Sequence, residues 1–318
     1  MDMAIEKATV ASFRGLGRSG ETAETIVVTP PAEVESFVHR PTGRFWRRLV
    51  HHRSAVFGLA LISLLTAVAL FAPVLSPSNP ATQNLAQALQ PPSMRHLFGT
   101  DELGRDICSR ILYGARISLA GSVLTVLATA VVGTTIGLVT GYYGGWLDEV
   151  VMRFTDILLA FPGVLLAVTM VSVLGSGLGY VLLAIGIYIM PGFVRISRST
   201  VLAVKQREFI EAAHAVGASG GRILFRHVLP NSLSPVLVQA TLRIGTVILL
   251  ISGLSFLGMG PKPPTPEWGL MLSTAKDFLR VAPHASLVPG AAIMLAVLGF
   301  NLLGDALHDV LDPRQLIM

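Results

Sequence analysis

Charge is scarce in this sequence. Asp, Glu, Lys and Arg make up 14% of its 318 residues, while 52% are hydrophobic. Soluble domains carry about 25% charged residues. A deficit of this size excludes an ordinary water-facing protein and points to lipid as the solvent. Cysteine is nearly absent. Cys108 stands alone, which excludes an internal disulfide and a cysteine-built zinc site and leaves it as a small apolar filler. The eight histidines are scattered, with no HExxH pair to hold a metal on one helix face. No lysine follows a glycine, so there is no Walker A loop. If this chain helps move a solute uphill with ATP, the ATP site lies on another chain. The net charge is +5, but the basic residues are not interleaved with aromatics as a nucleic-acid surface requires. In a membrane chain such an excess marks the loops on the cytoplasmic side.

What the sequence does have is long charge-free runs. A span needs about 20 apolar residues, and only helices or closed barrels satisfy their backbone groups in lipid. Residues 54–75 form the first run, behind Arg40, Arg44, Arg47, Arg48 and Arg53. Arg47-Arg48 suggests a twin-arginine leader. The run is too long for one, lies deep in the chain and is followed by more spans. Residues 117–147 form a second span ending in GYYGG. Residues 157–194 break at Gly175–Gly179 and read as a helical hairpin of two spans. Residues 235–257 form the fifth, with Ser234 as N-cap and Pro235 at the first helical position. Residues 284–304 form the sixth. His51, His52 and His284 lie at span ends, where they read as interfacial. Three regions follow: a polar, disordered tail over 1–45; a first helix with an outward segment over 46–116; and a five-helix core over 117–318. Six spans put both termini and the basic segment 195–231 on the cytoplasmic side, and 76–115 and 259–283 outside.

Two enzyme-like patterns lack the context they need. Gly15-Leu16-Gly17-Arg18-Ser19-Gly20 fits GxGxxG but follows no strand. Gly217-Ala218-Ser219-Gly220-Gly221 fits GxSxG without an α/β sheet, so Ser219 reads as a helix cap. Asp148, Asp156 and Asp305 sit at the ends of apolar runs, so no carboxylate inside a span offers the ion coupling of a secondary transporter. Arg243 is the one charge within a span, roughly 12 Å from its predicted start at 1.5 Å per residue. It either snorkels to the interface or lines a watery path.

The basic segment carries EAAHAVGASGGRILFRHVLP over 211–230. Phe209, Ala212, Ala213 and Val216 recur at helical spacing, Gly217 is placed to end that helix, and Pro230 is read as closing a second short helix. A narrow helix that cannot cross a membrane is suited to a groove on a partner, or to lying on the bilayer or its own bundle. The stretch also resembles the EAA loop of ABC importer permeases. His96–Leu119, Pro263–Leu272 and Asn301–Arg314 are similar to the C-type permease subunit of dipeptide and oligopeptide importers. The resemblance runs from about residue 45 to 316.

This resemblance implies an all-α, six-span fold of the type I importer permease class. It implies a plasma (inner) membrane location in a bacterium and no chemistry on this chain, with ATP and Mg held by partners. Those partners would be a second permease chain, two ATP-binding subunits and an external binding protein. Glu211, Ala212, Ala213 and Gly217 would form the coupling helix and its corner, and Leu229 and Pro230 would anchor the next helix. Peptides are the expected cargo; importers of nickel chelates, glutathione and other small solutes share these motifs. The chain departs from many relatives at Ile251, where they carry an acidic or amide residue.

Overall fold

The structure, a computed structural model, describes Arg47 and residues 49–311. The sequence-predicted tail lies outside them. The described residues are helical apart from loops and one antiparallel bridge between Thr100 and Asp106. Five helices are long and apolar enough to cross a membrane: α1 (Arg53–Leu75), α2 (Ile107–Tyr143), α5 (Leu178–Lys205), the run ending in α8 (Leu229–Phe256), and α10 (His284–Leu311). A sixth crossing is bent. Helices α3 (Gly145–Ala160) and α4 (Gly163–Leu174) pass the same test only together and meet at 94°. Short helices α6 (Glu208–Ala215) and α7 (Gly220–Ile223) precede α8, and α9 (Trp268–Ala275) lies between α8 and α10.

Three boundaries depart from the sequence reading. Helix α2 begins at Ile107, ten residues before the charge-free run, so the 116/117 boundary falls inside it. Arg116, which is exposed, ended the run on paper; further back in α2, Arg110 is buried and donates to the carbonyls of Pro80 and Pro264 at 3.1 and 3.2 Å. The first arm of the 157–194 hairpin is broken at Phe161-Pro162. Proline supplies no N–H and pushes its predecessor out of the helical region; Phe161 sits at φ −85°, ψ 137°. The fifth span starts well before Ser234-Pro235, which lie inside α8. Pro230 does not close a helix either. It sits in the first turn of α8, where a missing N–H costs nothing. The predicted hairpin break is present: α4 stops at Leu174 and α5 starts at Leu178.

Helix α2 packs lengthwise on α5, and both run in the same direction. Gly133, Gly137 and Gly141 face Phe193, Val194 and Arg198 in turn. A Cβ on Gly137 would lie 2.4 Å from the carbonyl oxygen of Val194. Lipid offers no hydrophobic drive between helices, so small residues that let backbones approach become the adhesive. The parallel course of α2 and α5 requires one return crossing between them, which the bent pair α3–α4 supplies. Hydroxyls inside the spans return to their own helix: Ser122 donates to Ser118 and Thr125 to Gly121, at 2.7 and 2.8 Å.

At the opposite end two motif-bearing loops meet. Asp106 caps α2, accepting from the N–H and hydroxyl of Ser109, both at 2.7 Å, and it contacts His96 Nδ1 at 2.9 Å. Arg105, fully buried, pairs with Asp101 at 2.6 Å and Glu102 at 2.7 Å. From the other loop, Trp268 Nε1 donates to the carbonyl of Ile111 at 3.2 Å. Glu267, also fully buried, caps α9 by accepting from the N–H groups of Gly269 and Leu270 at 2.9 and 2.8 Å. Burial pushes the Glu267 carboxyl above its ordinary pKa, and those two N–H groups act against the rise.

Two stability outcomes follow. Gly137→Ala should destabilise the purified protein by about 1–3 kcal/mol through overpacking. Gly221→Ala, where a Cβ meets nothing within 4 Å, should be neutral; thermal melts in detergent compare the two. Glu267→Ala leaves two buried N–H groups unpaired and should cost about 1–3 kcal/mol, while Glu267→Gln, which keeps one acceptor oxygen, should lose less in the same melts.

Candidate functional site

The segment between α5 and α8 is a small structured unit. Helix α6 carries Glu208 and Glu211 in its first turn and His214 in its last, the charge order a helix dipole favours. Its end is a Schellman motif. Gly217 sits at φ +78°, its N–H bonds to His214 O at 2.9 Å, and Ala218 N–H bonds to Ala213 O at 3.0 Å. Only a residue without Cβ takes that left-handed corner at no cost. Ser219 occupies the position before α7, but its side chain makes no capping bond. The sequence reading was right about its place and wrong about its hydroxyl.

A wide turn, Leu224–Val228, joins α7 to α8. Leu229 N–H reaches back five residues to Leu224 O, one more than in an α-helix. The result is one continuous helical run, Gly220–Phe256.

This unit has its own core. Ile210 of α6 packs with Ile223, Leu224 and Val228, with Val201 and Val204 of α5, and with Leu138 of α2. Ala213, Ala218, Leu229 and Tyr142 border it. Lys205 Nζ donates to Tyr142 O at 2.7 Å and lies 5.4 Å from the centre of the Tyr142 ring, placing a cation at the carboxyl end of α2. Phe209 and His227 bring their rings to 6.4 Å. Helix α6 is therefore tied to the ends of α2, α5 and α8 together.

The predicted stripe divides on this core. Ala213 turns inward beside Ile210, which the stripe omitted and which is buried. Glu211 and Ala212 face solvent, Val216 is 84% exposed, and Phe225 from the wide turn is 67% exposed. Of the residues assigned from the motif, Glu211, Ala212 and Gly217 lie on the open side, Ala213 and Leu229 support the core, and Pro230 is exposed at the start of α8. Choosing Ile210 over Phe209 as the anchor would have separated the two faces in the sequence. Both stripes have helical spacing, so periodicity alone does not decide between them.

Two ion pairs that the sequence reading missed fasten α3 across α5. Arg198 holds Asp148 through two parallel bonds at 2.5 and 2.6 Å, and Arg195 meets Asp156 at 2.5 Å. Both arginines had been read as loop charge; they belong to α5.

Arg243 is far from α6 and α7. It lies midway along α8, roughly 20 Å from either end of the helix. With the Gln239 amide oxygen turned toward it, that oxygen accepts from Nε at 3.0 Å and Nη2 at 3.3 Å. Across from it on α5 is Gly192, where a Cβ would be 3.4 Å from Nη2.

Residues 133–317 match the family described as binding-protein-dependent transport system inner membrane component, and residues 40–92 match the N-terminal TM domain of oligopeptide transport permease C. The chain is 47% identical over 287 residues to the dipeptide transport system permease protein DppC of Alkalihalophilus pseudofirmus, covering 90% of this chain and 94% of the relative. It is 44% identical over 292 residues to the glutathione transport system permease protein GsiD of Pectobacterium atrosepticum, covering 92% and 97%. The GsiD protein of Escherichia coli O157:H7 is 47% identical over 281 residues, covering 87% and 92%. With its apolar bundle, its broken span and the separately cored segment of α6 and α7, the chain belongs to the binding-protein-dependent transport system inner membrane component family and is an ABC importer permease.

Proposed function

We propose that this chain is one half of the membrane pathway of a peptide importer, driven by two ATP-binding subunits that grip helix α6. The carrying observation is the division of that helix: Ile210 rooted in a core shared with α2, α5 and α8, and Glu211, Ala212 and Val216 left open. A partner cleft would close on the open face. Its movement would reach three spans at once through the shared core, rocking the bundle between two discrete packings. ATP and Mg would be bound, and ATP hydrolysed, by those partners. A second, similar permease chain would complete the path, and an external binding protein would deliver cargo to the loops around Asp101 and Glu267. In this arrangement both termini and α6 are cytoplasmic.

Di- and oligopeptides are the cargo this reading favours, in line with a relative named for dipeptide transport and a match named for oligopeptide permeases. Glutathione, itself a peptide, is the second reading, supported by relatives named for it. Uptake of labelled dipeptide against labelled glutathione by cells expressing the importer separates the two.

In the reconstituted importer, Glu211→Arg should lower uptake at least ten-fold and weaken co-purification of the ATP-binding subunits. Normal uptake with unaltered co-purification would exclude α6 as the docking helix. Gly217→Val places a β-branched side chain at a left-handed position, at a cost of about 1–3 kcal/mol. It should uncouple ATP hydrolysis from uptake while the complex stays assembled, and unchanged uptake would refute the corner's role.

A further inference from the structure

We infer that Arg243 is a carboxylate-recognition point on the transport path, held ready by Gln239 and given room by Gly192. The inference rests on the reading of this chain as a peptide-importer permease and adds the group on the cargo that the bundle recognises. A guanidinium halfway along a membrane helix must be solvated or paired, because a bare charge in hydrocarbon is costly. Arg243 sits roughly 20 Å of helix from either end of α8, and its guanidinium lies against Gln239 and Gly192 inside the bundle. No carboxylate of the described residues pairs with it; the ion pairs of α5 and α3 engage Arg195 and Arg198 instead. Its partner is a neutral amide. Gln239, one turn earlier, accepts from Nε and one Nη, which fixes the plane of the fork and leaves the remaining donors for a ligand. That is the arrangement that meets a carboxylate with two parallel bonds.

The surroundings fit a path. Arg243 and Gln239 are both partly exposed, and Thr246 on the following turn is exposed. Gly192 faces the guanidinium with no side chain to close the space. Two turns further along α8, Leu250 and Gly253 border an apolar hollow completed by Val164 and Ala167 of α4. A polar point beside an apolar hollow suits a zwitterionic or anionic solute with a free carboxylate and an apolar body. A carboxylate of the neighbouring permease chain would satisfy the same fork, and the experiment separates the two.

The complete importer is reconstituted with Cys108→Ala and Thr246→Cys in this chain. The new thiol is labelled with a sulfonate-bearing and a trimethylammonium-bearing thiosulfonate of similar size. The anionic reagent should react about ten-fold faster, and Arg243→Gln should bring the two rates together; a neighbouring cation produces a bias of this order. Equal rates with Arg243 present, or no reaction with either reagent, overturn the inference. A carboxylate on the neighbouring chain would neutralise the fork and also give equal rates.

In the second arm, uptake of a dipeptide with a free carboxyl terminus is compared with that of its amide, both saturating the binding protein. The acid should be carried faster, Arg243→Gln should remove that advantage, and Arg243→Lys should retain part of it. A loss equal for acid and amide overturns the inference. Anion-selective labelling without dipeptide uptake would refute the peptide reading and leave the carboxylate site standing.

Discussion

The bundle depends on how closely α2 and α5 approach each other. Three glycines on one stripe bring the α2 backbone onto that of α5, and in lipid this proximity substitutes for the hydrophobic collapse that holds a soluble core. Because the two helices run parallel, their carboxyl ends finish side by side. Leu138, Val201 and Val204 therefore meet at one place and become the floor on which Ile210 rests. Helix α6 has a fixed seat only because the spans beneath it are locked. A loosened α2–α5 contact would leave α6 attached to two ends that move independently.

Most of the architecture was legible in the sequence because lipid imposes a simple rule: no charge, about 20 residues, helix. The rule located the five long helices and a hairpin break within Gly175–Gly179, and it read the bent pair as one straight arm from residue 157. It failed where a charge is satisfied inside the protein. Arg116 truncated the apparent start of α2, and beyond it Arg110 is buried in the same helix, held by carbonyls from loops 30 and 154 residues away that no local pattern reveals. It failed again at Phe161-Pro162, where a long apolar run concealed a sharp bend. It failed at Pro230 because a wide turn just before the proline absorbs its missing donor; the usual reading of proline as a stop presumes a regular helix on its amino side.

The short helices between α5 and α8 were legible in outline but not in detail. Gly217 was visible as a helix end because a left-handed corner after an alanine-rich helix has few other solutions. The inward face was not, because Ile210 and Phe209 are adjacent large apolar residues and both start helical stripes. Only the presence of Val204 and Ile223 on one side decides between them. Arg243 was legible as an anomaly, but its distance from the helix start was underestimated, since the helix was taken to start at Pro235 rather than Leu229. The earlier start places it at the centre of α8.

The wide turn at Leu224–Val228 has a geometric consequence for all of α6 and α7. One residue of α-helix is about 100° of rotation, so a single extra residue in that turn sets the azimuth of everything that precedes it. Ile223 and Leu224 point to the shared core and Phe225 points away from it because the count between them and Leu229 is one longer than a regular helix would have. The direction in which α6 presents Glu211 is thus set by an indexing step at the root of α8, a phase angle written as one residue.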